Sequence, residues 1–182
     1  MPIVPNKVFL TKGVGKHREK LASFELALRK AGIEKYNIVN VSSILPPNAK
    51  IISRKKGLNS LITGQILHCV LARNSDNEPN RLMSASIGIA LPSDSNSYGY
   101  ISEHHGFGQS EKVSGDYAED LAASMLASTL GIDFEADEAY DKRRDIFKMS
   151  KKIVRTSNIT QSCLCNKDKL WTTVLSVAVL VD

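Results

Sequence analysis

The chain has 182 residues, of which 42% are hydrophobic and 24% charged, values typical of a single globular domain (1–182) with a real core. No apolar run approaches the roughly 20 residues of a membrane span. Residues 1–7 also lack the charged start and apolar centre of a signal peptide, so a cytoplasmic protein without a membrane partner is expected.

The net charge of +5 is unevenly distributed. Residues 1–56 carry twelve Lys/Arg and three Asp/Glu, a net charge of +9, whereas residues 103–145 carry eleven acids and four Lys/Arg, a net charge of −7. A basic segment can bind nucleic acid, but ordinary solvated surface or contacts between subunits are the favoured explanation. No RNA-binding or zinc-finger signature is present, so no nucleic-acid partner is expected. A basic, non-enzymatic nucleic-acid-binding domain remains an alternative.

The N-terminal region begins with a short strand at residues 8–10. A loop with Gly13 and Gly15 is expected to follow it. A glycine pair is a weak signal for a phosphate-binding loop, and the rest of that motif is missing, so no such loop is proposed.

Residues 19–31 predict a helix. Leu21, Phe24 and Leu28 recur at helical spacing and indicate an apolar stripe. Glu25 lies within this stripe. A carboxylate at such a position has to reach solvent, a partner or a cationic ligand.

The next strand, residues 36–42, runs into a turn that Pro46 and Pro47 terminate, since proline cannot donate to a β-ladder. Ser42 and Ser43 stand side by side at this junction. Serine hydroxyls at turns usually bond to local backbone groups. In a strained turn, however, the Ser43 hydroxyl can attack the Ser42 carbonyl. The resulting ester then cleaves by β-elimination, leaving an N-terminal pyruvoyl group.

The remainder of the chain contains several strand patterns. The clearest is residues 82–91, where bulky and small side chains alternate. Its small face permits close approach by another sheet or a ligand. A run of β-branched residues at 170–181 indicates a strand buried on both faces. Further strands are predicted at residues 50–53, 65–73 and 97–104.

One long helix is predicted over residues 115–130, capped by Ser114. The highly charged stretch 133–152 fits either a helix or an extended excursion. In total, about seven strands and two or three helices occur in groups. This pattern favours an α+β layered sandwich of the αββα type, with largely antiparallel sheets flanked by helices.

Three cysteines are a poor disulfide framework. Cys163 and Cys165 would share a strand face, and His104 and His105 are the only paired histidines that could join them. No four-ligand spacing is visible, so we expect no metal site and reduced thiols.

The segment Ser-Ser-Ile-Leu-Pro-Pro at residues 42–47 resembles the Ser-Ser-Ile-Met-Pro-Pro segment of the pyruvoyl-dependent arginine decarboxylases, which cleave themselves between the two serines. Further similar features follow the family's order: Phe-Glu-Leu-Ala-Leu at 24–28, Ala-Gly-Ile at 31–33, Asn37 six residues before the second serine, and Glu103 in a Gly-Tyr-Ile-Ser-Glu strand. The chain is thus expected to be a self-cleaving precursor.

The resemblance implies a pyruvoyl cofactor made from Ser43, with fragments 1–42 (β) and 43–182 (α). The cofactor would form a Schiff base with L-arginine, which loses CO₂ to give agmatine for polyamine metabolism. Glu103 would donate the proton to Cα, which requires burial in apolar surroundings. Glu25 would bind the guanidinium, and Asn37 would act in processing. A homotrimer of cleaved protomers, or a dimer of trimers, is implied.

Several points stay open at the level of sequence. Glu25 replaces the family's usual aspartate and the stretch 133–152 does not match closely, so a pyruvoyl-dependent decarboxylase of another amino acid remains an alternative. Another alternative is that the chain is a relative of this family that is not cleaved and has no activity. Six residues of straight strand span about 20 Å, so either the strand bends sharply or Asn37 serves the site of a neighbouring subunit.

Overall fold

The computed structural model describes residues 3–131 and 153–182. In these ranges the elements are β1 (Lys7–His17), α1 (Lys20–Ala31), β2 (Asn37–Asn40), β3 (Ile44–Leu45), β4 (Lys50–Ile52), α2 (Arg54–Asn59), β5 (Ile66–Asp76), β6 (Leu82–Pro92), β7 (Gly99–Phe107), α3 (Glu111–Thr129), β8 (Ile153–Leu164) and β9 (Trp171–Val181). The chain is an α+β protein, as predicted.

The strands form two sheets. The five-stranded sheet has the order β2-β5-β9-β1-β4, and the four-stranded sheet has the order β3-β7-β6-β8. Every pairing is antiparallel except those of the two edge strands β2 and β4, which run parallel to β5 and β1. The prediction of largely antiparallel sheets is therefore confirmed.

The two sheets pack face to face. The core between them takes bulky side chains from β6, such as Met83 and Ile87, and alternate residues of β9, such as Val174 and Ala178. The other face of β9, including Val177 and Val179, packs on the side of helix α1. This central strand is buried on both faces because each face meets a separate apolar layer, as its β-branched sequence predicts.

Helix α1 lies directly on β1, and two glycines make this possible. A Cβ added at Gly13 would stand 2.1 Å from the carbonyl oxygen of Ala27, and one at Gly15 would stand 2.1 Å from that of Ser23. The predicted loop at these glycines is wrong, because β1 continues through both to His17.

The buried face of α1 also differs from the apolar stripe that the sequence predicts. Its buried residues are Ser23, Ala27 and Ala31, while Leu21 is 79% exposed. Small side chains face inward because the helix approaches the glycines of β1 so closely. Phe24 and Leu28 flank this buried line and are only partly buried.

Helix α3 covers the small-residue face of β6. A Cβ at Gly88 would stand 2.1 Å from the Ala118 carbonyl oxygen, so this face packs against a helix instead of a second sheet or a ligand.

Helix α3 begins earlier than predicted, because the Ser110 side chain provides the N-cap by accepting a hydrogen bond from the backbone N–H of Val113. Ser114 is not the cap. It is buried within the helix and bonds the hydroxyl of Ser86.

The sequence pattern did not predict β8, which adds a fourth strand beside β6. The charged stretch 133–152 lies outside the described residues. Among the described helices, none has the length and apolar character needed to cross a membrane.

Candidate active site

The paired serines stand where the chain passes from one sheet to the other. On the N-terminal side, the N–H of Val41 donates to the carbonyl of Cys69 in the five-stranded sheet. On the C-terminal side, the carbonyl of Ser43 accepts from the N–H of Ile101 in the four-stranded sheet, at 2.7 Å. Both ends of the Ser42–Ser43 junction are therefore fixed by different sheets, with Ser42 exposed and Ser43 half-buried.

A pocket opens beside this crossover because β2 is much shorter than its neighbour. β2 pairs with only the first four residues of β5, from Ile66 to Cys69, so none of the described strands lies beside the rest of β5 on that edge. The resulting pocket of ≈ 700 Å³ falls in the size range of small-molecule sites. Its lining comes from α1, from β2 with the residue before it, from β5 and from β7: Phe24, Leu28, Tyr36, Asn37, Ile38, Asn40, Leu71, Arg73, Glu103 and His105.

Glu103 lines this pocket from β7. Ser43 is opposite Ile101 in the continued β3–β7 register, so Glu103 lies two residues, roughly 7 Å, farther along the strand. The Glu103 side chain is exposed in the single chain, contrary to the expected deep burial. Partial desolvation nevertheless raises the pKa of its carboxyl group above the usual value.

Cys69 shows how close Glu103 comes to the five-stranded sheet. Burial of the thiol, with the nearby charge of Glu103 as a second cause, raises the pKa of Cys69 to about 12. The thiol donates to the side-chain oxygen of Asn40, at 3.7 Å. Cys69 is therefore a protonated, buried thiol beneath the pocket.

Asn37 shares the pocket with Glu103, so the structure brings together two of the predicted site residues. Its side-chain amide donates to the carbonyl of Gly64 at 2.8 Å. Among the hydrogen bonds of the described residues, none joins Asn37 to Ser42 or Ser43. The chain bends at Ser43, after β2, but the Asn37 amide is hydrogen-bonded to Gly64 and not to the serines of its own chain.

Glu25 lies outside the lining of this pocket, although the preceding residue, Phe24, is part of it. The Glu25 carboxylate accepts a hydrogen bond from Nε of Arg29, one helical turn later, at 2.5 Å. Its side chain keeps 44% of its surface exposed. A carboxylate held in this surface ion pair is available to a ligand or a second chain that displaces Arg29.

Ser42 lines a second, more apolar cavity of ≈ 390 Å³ on another side of the junction. Its wall includes Val41, Ile44 and the N-terminal residues Ile3 and Val4. Ile3 is 73% exposed and Ile44 is 40% exposed. The serine junction is thus bordered by an open apolar surface.

Two basic residues that line the pocket, His105 and Arg73, were not predicted to belong to this site. His105 could have been found, because it lies two residues after Glu103 and strand alternation puts it on the same face. Arg73 had no signal in the sequence, since its place in the pocket depends on where β2 ends.

The cysteines and histidines do not assemble into a metal site within the described ranges, where no group of three His, Cys, Asp or Glu side chains could hold an ion. All three cysteines are free thiols. Cys165 is buried and donates to the carbonyl of Asp76, and Cys163 is half-buried.

Comparison with known proteins gives a consistent result. Residues 7–182 match the sequence model of a family described as pyruvoyl-dependent arginine decarboxylase. The chain is 59% identical over 181 residues to a probable pyruvoyl-dependent arginine decarboxylase of Chloroherpeton thalassium, covering 100% of both chains. It is 56% identical over 179 residues to the pyruvoyl-dependent arginine decarboxylase 2 of Methanosarcina acetivorans, covering 98% of each. It is also 56% identical over 179 residues to the pyruvoyl-dependent arginine decarboxylase of Methanococcoides burtonii, covering 98% of this chain and 99% of the relative.

Proposed function

Because this chain belongs to the pyruvoyl-dependent arginine decarboxylase family, we propose that it converts L-arginine to agmatine and CO₂ with a pyruvoyl group formed from Ser43. The structural observation that carries the assignment to Ser43 is its hydrogen bond to Ile101, which ties the serine junction to the strand bearing Glu103. A basic nucleic-acid-binding domain is not favoured, since the family match extends over residues 7–182.

Self-cleavage is the first step of the proposal. The Ser43 hydroxyl attacks the carbonyl carbon of Ser42, and the C–N bond of the amide gives way to an ester C–O bond. Elimination across Cα and Cβ of Ser43 then breaks its Cβ–O bond and releases Ser42 as a carboxylate. Tautomerisation and hydrolysis of the remaining enamine release ammonia and leave a ketone at residue 43.

The surroundings of the junction suit this chemistry. The two sheets hold Val41 and Ser43 by separate backbone hydrogen bonds, so the intervening peptide has little freedom to relax away from attack. The exposed side of Ser42 leaves room for the ester oxygen and for the new chain end. After cleavage, the Ile101 N–H would still hold the carbonyl of residue 43 beside Glu103.

A pyruvoyl group supplies a ketone that reacts with the substrate amine and accepts the electrons left on Cα when CO₂ departs. Glu103 then delivers a proton to Cα. Its raised pKa supports this role, because a general acid has to keep its proton near the working pH. Contact with a neighbouring chain would bury Glu103 further and raise its pKa in the same direction.

Glu25 and Asn37 are proposed to serve the active site across a subunit boundary. Glu25 would bind the guanidinium of arginine through a charge-assisted pair, exchanging Arg29 for the substrate. Asn37 would support processing of a neighbouring junction. Two observations support this arrangement: Glu25 lies outside the pocket of its own chain, and the Asn37 amide bonds Gly64 and not Ser43.

We further propose that processed protomers assemble as a homotrimer or a dimer of trimers. The open apolar surface around Ile44 and the N-terminal residues is one candidate for the contact. Light scattering coupled to gel filtration tests the assembly, and a monomer at micromolar concentration would rule it out.

We also propose that the protein is located in the cytoplasm and supplies agmatine for polyamine synthesis. Cell fractionation tests the location, and polyamine analysis tests the supply of agmatine.

The decisive experiment combines mass spectrometry with a CO₂-release assay. The native protein should give two fragments divided between Ser42 and Ser43, and a carbonyl reagent should label the larger one. Release of labelled CO₂ from arginine should exceed release from lysine, ornithine and acidic amino acids. An uncut chain with an intact Ser43, or CO₂ release from a different amino acid, would overturn the corresponding part of the proposal.

A further inference from the structure

Arg73 lines the same pocket as Glu103 and contributes a positive charge to its wall. Its guanidinium carbon lies 4.5 Å from the centroid of the Phe24 ring. Within the part of the chain that the structure describes, no carboxylate lies within salt-bridge distance of Arg73. The pocket therefore carries a permanent positive charge, and none of the described acidic side chains forms an ion pair with it.

The position of Arg73 follows from the unequal lengths of two strands. β2 stops at Asn40, opposite Cys69, and Arg73 comes four residues later on β5. Alternation places Cys69, Leu71 and Arg73 on one face, the face that α1 covers. Phe24 of α1 then supports the flat guanidinium from one side, which limits the directions in which its donors can point.

This charge restricts how arginine can enter the pocket. The substrate has a permanently positive guanidinium at one end and a negative α-carboxylate at the other. Arg73 repels the first group and attracts the second, so both interactions favour the same orientation. A guanidinium also matches the geometry of a carboxylate with two parallel hydrogen bonds.

We propose that Arg73 binds the α-carboxylate of the substrate and so orients arginine in the pocket. The inference deepens the proposed function and rests on it. It adds a specificity-determining residue at the carboxylate end, opposite in charge to the guanidinium partner proposed at Glu25.

The same charge acts in the reverse sense on the product. Decarboxylation removes the only negative group, and agmatine carries a guanidinium and an amine that is positively charged once free. Arg73 therefore favours binding of arginine and release of agmatine. Because its attraction weakens as the carboxylate loses charge, Arg73 lowers KM and does not raise kcat.

The test compares Arg73→Gln with the processed wild-type enzyme, with cleavage of both verified by mass spectrometry. Arg73→Gln should raise the KM for arginine roughly 10- to 100-fold, as expected for loss of a charged hydrogen-bonded pair, with kcat unchanged or higher. Calorimetry with agmatine, which involves no turnover, should show binding at least about threefold tighter in the variant.

Arg81→Gln is a control for the loss of a ring-stacked arginine outside the pocket, and it also breaks the ion pairs of Arg81 with Asp76 and Glu78. Arg81 also stacks on an aromatic ring, with its guanidinium carbon 5.0 Å from the centroid of Phe107, but it is not part of the pocket lining. This substitution removes the same charge and should leave both the arginine KM and the agmatine Kd unchanged.

Arg73→Lys keeps the positive charge but loses the planar guanidinium that can form two parallel hydrogen bonds with a carboxylate. This variant should therefore show a smaller rise in the KM for arginine and wild-type affinity for agmatine. It also provides the test if the glutamine variant does not fold.

Opposite shifts in arginine KM and agmatine Kd support the inference. An unchanged KM in an active variant overturns it, as does a lowered KM, which would mean that Arg73 obstructs the substrate. Parallel weakening of arginine and agmatine also overturns it, since that pattern reports a structural loss. Wild-type enzyme that releases no CO₂ from arginine would instead refute the proposed function itself.

Discussion

The carbonyl oxygen of Ser43 accepts a hydrogen bond from the backbone N–H of Ile101 at 2.7 Å. This bond joins the crossover between the two sheets to the strand that carries Glu103. The distance between Ser43, proposed to become the cofactor, and Glu103, proposed to donate the proton, is therefore set by this backbone pairing with β7.

Replacement of Ser43 tests the processing step. Ser43→Ala should give one intact chain without decarboxylase activity, because the nucleophile on Cβ is gone. Ser43→Cys and Ser43→Thr retain a nucleophile and should still cleave to some extent. Denaturing gels and intact mass measure the outcome, with Ser42→Ala as the control that keeps the attacking hydroxyl and should still be cut. Two fragments from Ser43→Ala would contradict the assignment.

Replacement of Glu103 tests the proton donor. Glu103→Gln should process normally yet lower kcat by roughly 10²- to 10⁴-fold, the usual contribution of a positioned general acid. The control is complete cleavage of the variant by mass spectrometry. A variant with wild-type kcat would remove Glu103 from the chemistry.

The pH dependence follows from the raised pKa of Glu103. The acid is active while protonated, so kcat should fall as pH rises through this pKa, at a pH above that at which an unperturbed glutamate titrates, about 4.3. A pH–rate profile of the wild type should show this alkaline limb, and the residual activity of Glu103→Gln should lack it. Persistence of the same limb in the variant would assign it to another group.

Replacement of Glu25 tests recognition of the guanidinium. Glu25→Gln should raise the KM for arginine by roughly 10- to 100-fold, because a charge-assisted hydrogen bond is lost. Arg29→Gln is the matched control: it breaks the same surface ion pair but leaves the carboxylate free, so KM should stay the same or fall. Equal increases in KM from both substitutions would mean that the pair only supports the helix.

The contact between α1 and β1 predicts an unequal cost for two glycine substitutions. Gly15→Ala would drive Cβ to 2.1 Å from a backbone carbonyl, so it should cost at least about 3 kcal/mol and lower Tm by roughly 10 °C. Gly108→Ala meets no atom within 4 Å and carries only the strain of its φ of 72°, about 1 kcal/mol. Thermal unfolding measures both, and equal losses would show that α1 can shift away from β1.

Local patterns in the sequence predicted much of the fold. The alternation of bulky and small residues at 82–91 and the β-branched run at 170–181 identified β6 and β9, because successive side chains of a strand point to opposite faces and have to fit what packs on each face. Glycine at 32 ended α1 in the left-handed conformation expected of such a stop. The wrong predictions arose where a long-range contact decides the local structure. Gly13 and Gly15 resemble loop residues until a helix is packed on them, and Ser114 resembles a cap until Ser86 is placed beside it.

The sequence alone determined the family, the serine pair, the position of Glu103 on a strand and the α+β class, because each is encoded by neighbouring residues or by a continuous motif. Only the tertiary structure decided that the serine pair bridges two sheets, that Glu103 and Asn37 line one pocket, and that Glu25 lies outside it. The physical reason is that the pocket exists where β2 ends before β5 does. The relative length of these two strands, whose paired residues lie 29 positions apart in the sequence, depends on packing between distant segments and leaves no trace in the local pattern of either strand.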